Sequence, residues 1–211
     1  MQTELTKALF AQMLSGALAK IEANFDYLNQ LDSATGDGDH GTAILSTMKA
    51  AVEASKQEES FSQTLNNIGW GIMSATGGST SSLNGSFYLG MSEAVSSESL
   101  DPAEVSKMFS SGLTNVQGMT QAKKGDKTLM DAMIPAVESM KLTLINKPDV
   151  SLNELFQNAA TAAEKGAADT ENMIAKMGRA KNLGERSRGH RDAGATSFAL
   201  ILSAFAETLS E

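Results

Sequence analysis

Apolar positions recur at mixed spacings of three and four along most of the 211-residue chain, the period of amphipathic helices. Between Glu4 and Leu28, Leu5, Phe10, Met13, Leu14, Ala17, Leu18, Ile21 and Phe25 form one such stripe and predict a first helix. The same pattern predicts helices from Thr42 to about Lys56, from Phe61 to Ser74 and from Ser82 to Val95. Asp101-Pro102-Ala103-Glu104 opens a fifth, with a capping aspartate, proline at the first helical position and glutamate at the third. Lys127 to Met140 makes a sixth, and Ser151-Leu152-Asn153-Glu154 repeats the capping pattern for a seventh. The last, Gly194 to about Leu209, carries Phe198, Leu200, Ile201, Leu202 and Phe205 on most of its faces and is expected at the centre of the core. Gly69, Gly71, Gly85 and Gly90 cost helix stability, so they predict close helix packing. The expected fold is all-α, eight helices in an antiparallel up-and-down bundle or barrel, forming a single domain over 1–211.

Composition narrows the function more than the fold. With 41% hydrophobic and 20% charged residues, the chain reads as a soluble folded protein. Its net charge of −8, from 17 basic and 25 acidic residues, repels a nucleic-acid backbone, so no nucleic-acid partner is expected. The absence of cysteine removes disulfides, thiolate zinc sites and cysteine nucleophiles, and two histidines, His40 and His190, cannot make an HExxH site. The N-terminus lacks a basic segment followed by an apolar one. The longest mostly apolar stretch, Phe198 to Ala206, falls short of the roughly 18 residues of a spanning helix. A cytoplasmic protein with no membrane partner is expected.

The candidate chemistry lies in the connections. Asp32-Ser33-Ala34-Thr35-Gly36-Asp37-Gly38-Asp39-His40-Gly41 gathers three carboxylates whose mutual repulsion a cation would relieve, and oxygen-only ligands point to magnesium or calcium. A calcium EF-hand fails, because its later ligand positions, counted from Asp37, hold Gly41 and Met48. Gly36, Gly38 and Gly41 satisfy GxGxxG, but no strand precedes them and Asp37 and Asp39 would repel a pyrophosphate. Magnesium reverses that repulsion, since its open positions take substrate phosphates, and the helix near Thr42 adds an N-terminus that attracts anions. Thr76-Gly77-Gly78-Ser79-Thr80-Ser81-Ser82 offers further backbone and hydroxyl donors. Gly125-Asp126-Lys127-Thr128 lacks the order of a Walker A motif. The long connection from Gly178 to Gly194 carries five of the 17 basic residues, which suits a phosphate or an acidic partner. The plain alternatives are solvated turns and a mobile charged loop.

These segments, in this order, resemble the nucleotide-binding (L-type) subunit of dihydroxyacetone kinases, which is also the C-terminal domain of single-chain versions. Gly36-Asp37-Gly38-Asp39-His40-Gly41, Gly125-Asp126-Lys127-Thr128, Gly184-Glu185-Arg186-Ser187, Gly189-His190 and Gly194-Ala195-Thr196-Ser197 carry the resemblance, which spans essentially the whole chain. It implies a barrel of eight antiparallel helices binding ADP or ATP at one end through two magnesium ions. By the same resemblance Asp32, Asp37 and Asp39 would hold the metal, and His40, Gly41, Thr42 and Ala43 would lie over the phosphates. Ser79, Thr80, Thr120, Leu129, Arg179, Asp192, Ala193 and Gly194 would complete the nucleotide site, with Arg179 stabilising phosphate and no residue assigned as a general base. The implied acceptor is a short keto-sugar held by a separate subunit. The implied donor is ATP, or a phosphotransferase-system protein that recharges a permanently bound ADP. A nucleotide-sensing subunit that binds a transcriptional regulator is the non-catalytic alternative. The sequence departs from the family pattern at Gly78-Ser79-Thr80-Ser81-Ser82, Asn84, Thr120 and Asp192-Ala193-Gly194, positions that bear on acceptor and partner.

Overall fold

The computed structural model describes residues 3–57, 59–75 and 77–210. Among these, nine α-helices carry almost all of the regular structure. They are α1 (Lys7–Ala23), α2 (Phe25–Ser33), α3 (His40–Ser55), α4 (Phe61–Ala75), α5 (Ser79–Glu93), α6 (Pro102–Met119), α7 (Met130–Asn146), α8 (Leu152–Asp169) and α9 (Ala193–Thr208). Two two-residue strands, β1 (Leu5–Thr6) and β2 (Ser99–Leu100), pair antiparallel. No helix among the described residues is long and apolar enough to cross a membrane.

The capping signals in the sequence are realised. Asp101 accepts from Glu104 N and the Glu104 carboxylate accepts from Asp101 N, a complete capping box at the head of α6. Ser151 accepts from Glu154 N at the head of α8. Several boundaries differ from expectation: α3 starts at His40 and α5 at Ser79, each a little before the expected residue, α7 runs on to Asn146, and two differences have a clear physical cause. The first helix begins later, because Leu5 and Thr6 pair with β2, and it breaks at Asn24, whose side chain donates to Lys20 O and competes with the helical ladder. The sixth begins at Met130 instead of Lys127, because Lys127 has φ 60°, a left-handed conformation that no helix accommodates.

The helices close into a ring. Helix α1 packs against both α9 and α3, and from α3 onward each helix packs against the next, so α1 and α2 together act as the first of eight rods. The interior is filled by aromatic rings in a closed circuit: Phe10, Tyr88, Phe87, Phe109, Phe156 and Phe205 touch in that order and return to Phe10, with centroids 5.5–6.4 Å apart and steeply tilted planes. Phe61 and Phe198 join the circuit from α4 and α9.

Glycines set the closest approaches between rods. A Cβ on Gly85 would stand 2.8 Å from Gly69 O, and one on Gly69 would stand 2.9 Å from Gly85 O, so α4 and α5 meet backbone to backbone. Gly90 meets α6 the same way, with Gly112 Cα 2.9 Å from its notional Cβ. Gly71 does not serve this purpose: its nearest neighbour would be Ala54 Cβ at 3.7 Å, an ordinary contact. Pro135 cannot donate to Asp131 O inside α7, and Gly166 of α8 packs against that carbonyl, where a Cβ would overlap it.

Alternation of the rods sends the α2–α3, α4–α5, α6–α7 and α8–α9 connections to one end. These are the four segments that carry the candidate chemistry.

Candidate functional site

All four connections line one cavity of about 640 Å³, within the range of roughly 300–1,000 Å³ typical of small-molecule sites. The α2–α3 connection supplies its acidic corner. Asp32 at the end of α2 accepts from Gly38 N at 2.9 Å and Asp39 N at 3.0 Å, which curls the loop around its carboxylate; Gly38 permits the curl with φ 77°. One carboxylate oxygen from each of Asp32, Asp37 and Asp39 then lies within 4.8 Å of the others. Three anionic oxygens at that separation, with no nitrogen or sulfur among them, fit a hard divalent cation such as magnesium. Asp37 is ion-paired with Arg179, which reaches across from the α8–α9 connection.

The head of α3 is held from outside. Asp39 occupies the cap position without a side-chain cap bond, and Asn29 of α2 takes that role, accepting from Gly41 N at 2.7 Å and Thr42 N at 3.3 Å. Gly41 and Thr42 are consequently absent from the cavity lining, whereas His40 and Ala43 belong to it. His40 bridges two hydroxyls, Ser197 Oγ at 2.9 Å and Thr80 Oγ1 at 3.5 Å. Burial lowers its pKa to about 4 against the opposing pull of Asp32, so the ring is neutral at physiological pH.

Ser79 and Thr80 line the cavity at the head of α5, whose cap residue Gly78 has no side chain to cap it. Thr76 lies outside the described residues. Asn84, one turn further along, is buried against the same cavity and donates to Thr80 O at 2.8 Å. Thr120, Leu129, Asp192, Ala193 and Gly194 complete the lining with Arg179, and Leu83, Met130 and Met177 add apolar surface. Asp192 caps α9 by accepting from Ala195 N at 2.7 Å. Burial raises its pKa to about 6, with Asp131 and Asp32 adding to the rise and Ala195 N–H and Lys127 opposing it.

Two groups to which the sequence reading gave no site role shape this end. Asn29 is one, and its only sequence signal is a polar residue inside an amphipathic stretch. Lys127 is the other, buried beside the cavity with its Nζ donating to Thr170 O and His190 O.

Residues 34–207 match the DAK2 domain. The chain belongs to the DAK2-domain family. This DAK2 domain is 33% identical to the ADP-binding subunit DhaL of the PEP-dependent dihydroxyacetone kinase of Escherichia coli K12, over 88% of this chain and 89% of that one. It is also 33% identical to the corresponding subunit of kinase 1 of Listeria innocua, over 90% of each. An L-erythrulose kinase of Pectobacterium atrosepticum is 32% identical over 95% of this chain, which spans 34% of that enzyme. Among solved structures, the dihydroxyacetone kinase of C. freundii in complex with AMP-PNP and Mg²⁺ superposes with a TM-score of 0.72 at 25% identity. That match covers 100% of this chain and 35% of the kinase, and agrees with the all-α fold.

Proposed function

We propose that this DAK2 domain is the ADP- or ATP- and magnesium-binding subunit of a dihydroxyacetone-type kinase, passing a phosphoryl group to a short keto-sugar held by a separate subunit. The observation that carries the reading is the meeting of Asp32, Asp37 and Asp39 in one corner of a nucleotide-sized cavity, with Arg179 reaching the same corner.

Each group has a task in such a transfer. Asp32, Asp37 and Asp39 would hold two magnesium ions, with Asp32 oriented by two backbone N–H groups. Magnesium bound there would neutralise phosphate charge and so ease attack by an acceptor. Arg179 exchanges its pairing with Asp37 for a phosphate oxygen, placing a planar cation where charge gathers during transfer. Ser79, Thr80 and the head of α5 offer hydroxyl and backbone donors to the phosphates. His40 stays neutral and keeps Thr80 and Ser197 in register, and Ala43 lines the cavity one turn along α3. Leu129, Ala193 and Gly194 would give a base apolar contacts in the cavity lining, and Thr120 would add a hydroxyl. Gly41 and Thr42 act one step back, through the Asn29 cap that fixes the head of α3.

Identity of 33% to two subunits named ADP-binding, and 28% to a PTS-dependent one from Lactococcus lactis, supports a relay in which ADP stays bound and a phosphotransferase-system protein recharges it in the cytoplasm. The 32% identity to an L-erythrulose kinase favours a second reading for the acceptor, a four-carbon keto-sugar.

The test mixes the purified chain, its keto-sugar-binding subunit, catalytic ADP and the phosphorylated donor protein, and follows phosphorylated dihydroxyacetone. Product in proportion to donor phosphoryl groups is expected. Product only with excess ATP would move the reading to an ATP-dependent kinase. No product under either condition, with nucleotide bound, would make the chain a nucleotide sensor acting on another partner such as a transcriptional regulator.

A further inference from the structure

The connection from α8 to α9 leaves the barrel at Thr170 and returns at His190, and its neck is closed by a small set of bonds. Gly189 N donates to Glu171 O at 2.8 Å, and Asp192 N donates to Thr170 Oγ1 at 2.9 Å. Between these bonds sits Lys127 Nζ, which donates to Thr170 O at 2.6 Å on the outgoing strand of the loop and to His190 O on the returning one. Thr170 Oγ1 ties the two strands from within, and among the described residues no side chain other than that of Lys127 reaches both strands from outside the loop.

Lys127 is an expensive residue to place here. It is 3% exposed, and burial lowers the pKa of its ammonium against the opposing charges of Asp192, Glu171 and Asp131. Its backbone stands at φ 60°, and no other non-glycine among the described residues has a positive φ. Asp131 secures that turn by accepting from Gly125 N at 2.5 Å and Thr128 N at 2.8 Å. A strained backbone and a buried cation, both held by specific bonds, mark a position whose geometry the site depends on.

The loop that the neck closes carries Arg179 to Asp37, and its returning strand leads directly into Asp192, Ala193 and Gly194 of the cavity wall. We propose that Lys127 is a positioning residue of the phosphoryl-transfer site, clasping the neck of the 171–189 loop so that Arg179 and Asp192 are held at the cavity. The inference rests on the function proposed above. An ammonium suits the task because its three N–H groups can serve two carbonyls while its charge balances the acidic groups around it.

Lys127→Met removes both donors and charge while keeping the bulk of the stem; Lys127→Gln removes the charge and keeps two N–H donors. Hydrogen exchange of the Gly189 and Asp192 amides reports the neck, and that of Leu202 in the core of α9 reports global opening. In Lys127→Met the neck amides are expected to exchange at least about tenfold faster while Leu202 keeps its native rate. Nucleotide KM is expected to rise at least about tenfold, with kcat changing less, because the loop places binding groups. Lys127→Gln is expected to lie between native and Met in both readouts. Neck exchange and KM at native values in either folded variant would overturn the proposal, as would equal acceleration at the neck and at Leu202. If Lys127→Met does not fold, Lys127→Gln decides alone on the same two readouts. Absence of nucleotide binding by the native chain would instead defeat the functional reading, and the exchange pattern would still report on the clasp.

Discussion

Asn29 gives α3 the cap that the residue at its own cap position withholds. Asp39 turns its carboxylate toward the acidic cluster, and Asn29 Oδ1 receives the N–H groups of Gly41 and Thr42 from a neighbouring helix. Asn29→Ala is therefore expected to lower unfolding stability by about 1 kcal/mol, the usual worth of a cap, read as a lower urea midpoint with an unchanged slope. The carboxylates behave differently, because like charges gathered without a cation repel. Asp37→Ala is expected to leave the melting temperature in EDTA at or above the native value and to abolish the increase that magnesium and ADP give the native protein. An unchanged ligand-induced increase in the variant would contradict the assignment. Asp32, Asp37 and Asp39 were legible in the sequence because eight residues of one loop contain them all. The roles of Asn29 and Lys127 were not, since each acts on a backbone distant in sequence and neither residue type announces such a contact.

Between helices the decisive residues are small. Gly85 and Gly69 face each other across α4 and α5 at a separation that leaves no room for a methyl, while Gly71, two residues from Gly69, meets only ordinary contacts. Gly71→Ala is expected to stabilise the protein by up to about 1 kcal/mol through helix propensity. Gly85→Ala is expected to destabilise it, since Met73 and the Gly69 carbonyl must give way. Thermal melts of the two variants beside the native protein check both signs. Periodicity and capping located the helices because those signals are local: the Asp101–Glu104 box and the Ser151 cap appear where the residues stand. The ends at Asn24 and Lys127 were not legible in advance, since a side-chain bond in one case and a left-handed turn stapled by tertiary bonds in the other override the hydrophobic period. Composition likewise marks glycines as costly in a helix without saying which of them face a neighbour, and Gly71 shows the difference.

At the scale of the molecule, an up-and-down ring brings every second connection to one end, so loops far apart in sequence meet at a single cavity. That convergence follows from topology and could be expected from the helix count, but the pairing of Arg179 with Asp37 and the burial of Asp192 follow from packing. Asp192 has a folded pKa of about 6 against the usual 3.8. Between those values the unfolded chain releases the proton while the folded one keeps it, so this group costs stability as pH rises from about 4 to about 6. Asp192→Asn retains a capping side chain and loses the titration. In metal-free buffer its stability relative to the native protein is expected to increase across that window and to level off above it, as followed by urea midpoints at each pH. A flat difference would contradict the burial argument.

The acidic corner and the cavity together are expected to bind a magnesium nucleotide. Native mass spectrometry of the purified chain with magnesium and ADP tests it most directly, with Asp37→Ala run beside it. The expected mass is that of the chain plus one ADP and two magnesium ions for the native protein, and that of the bare chain for the variant. A native protein that stays bare at millimolar nucleotide, or a variant that keeps nucleotide and both metals, would contradict it.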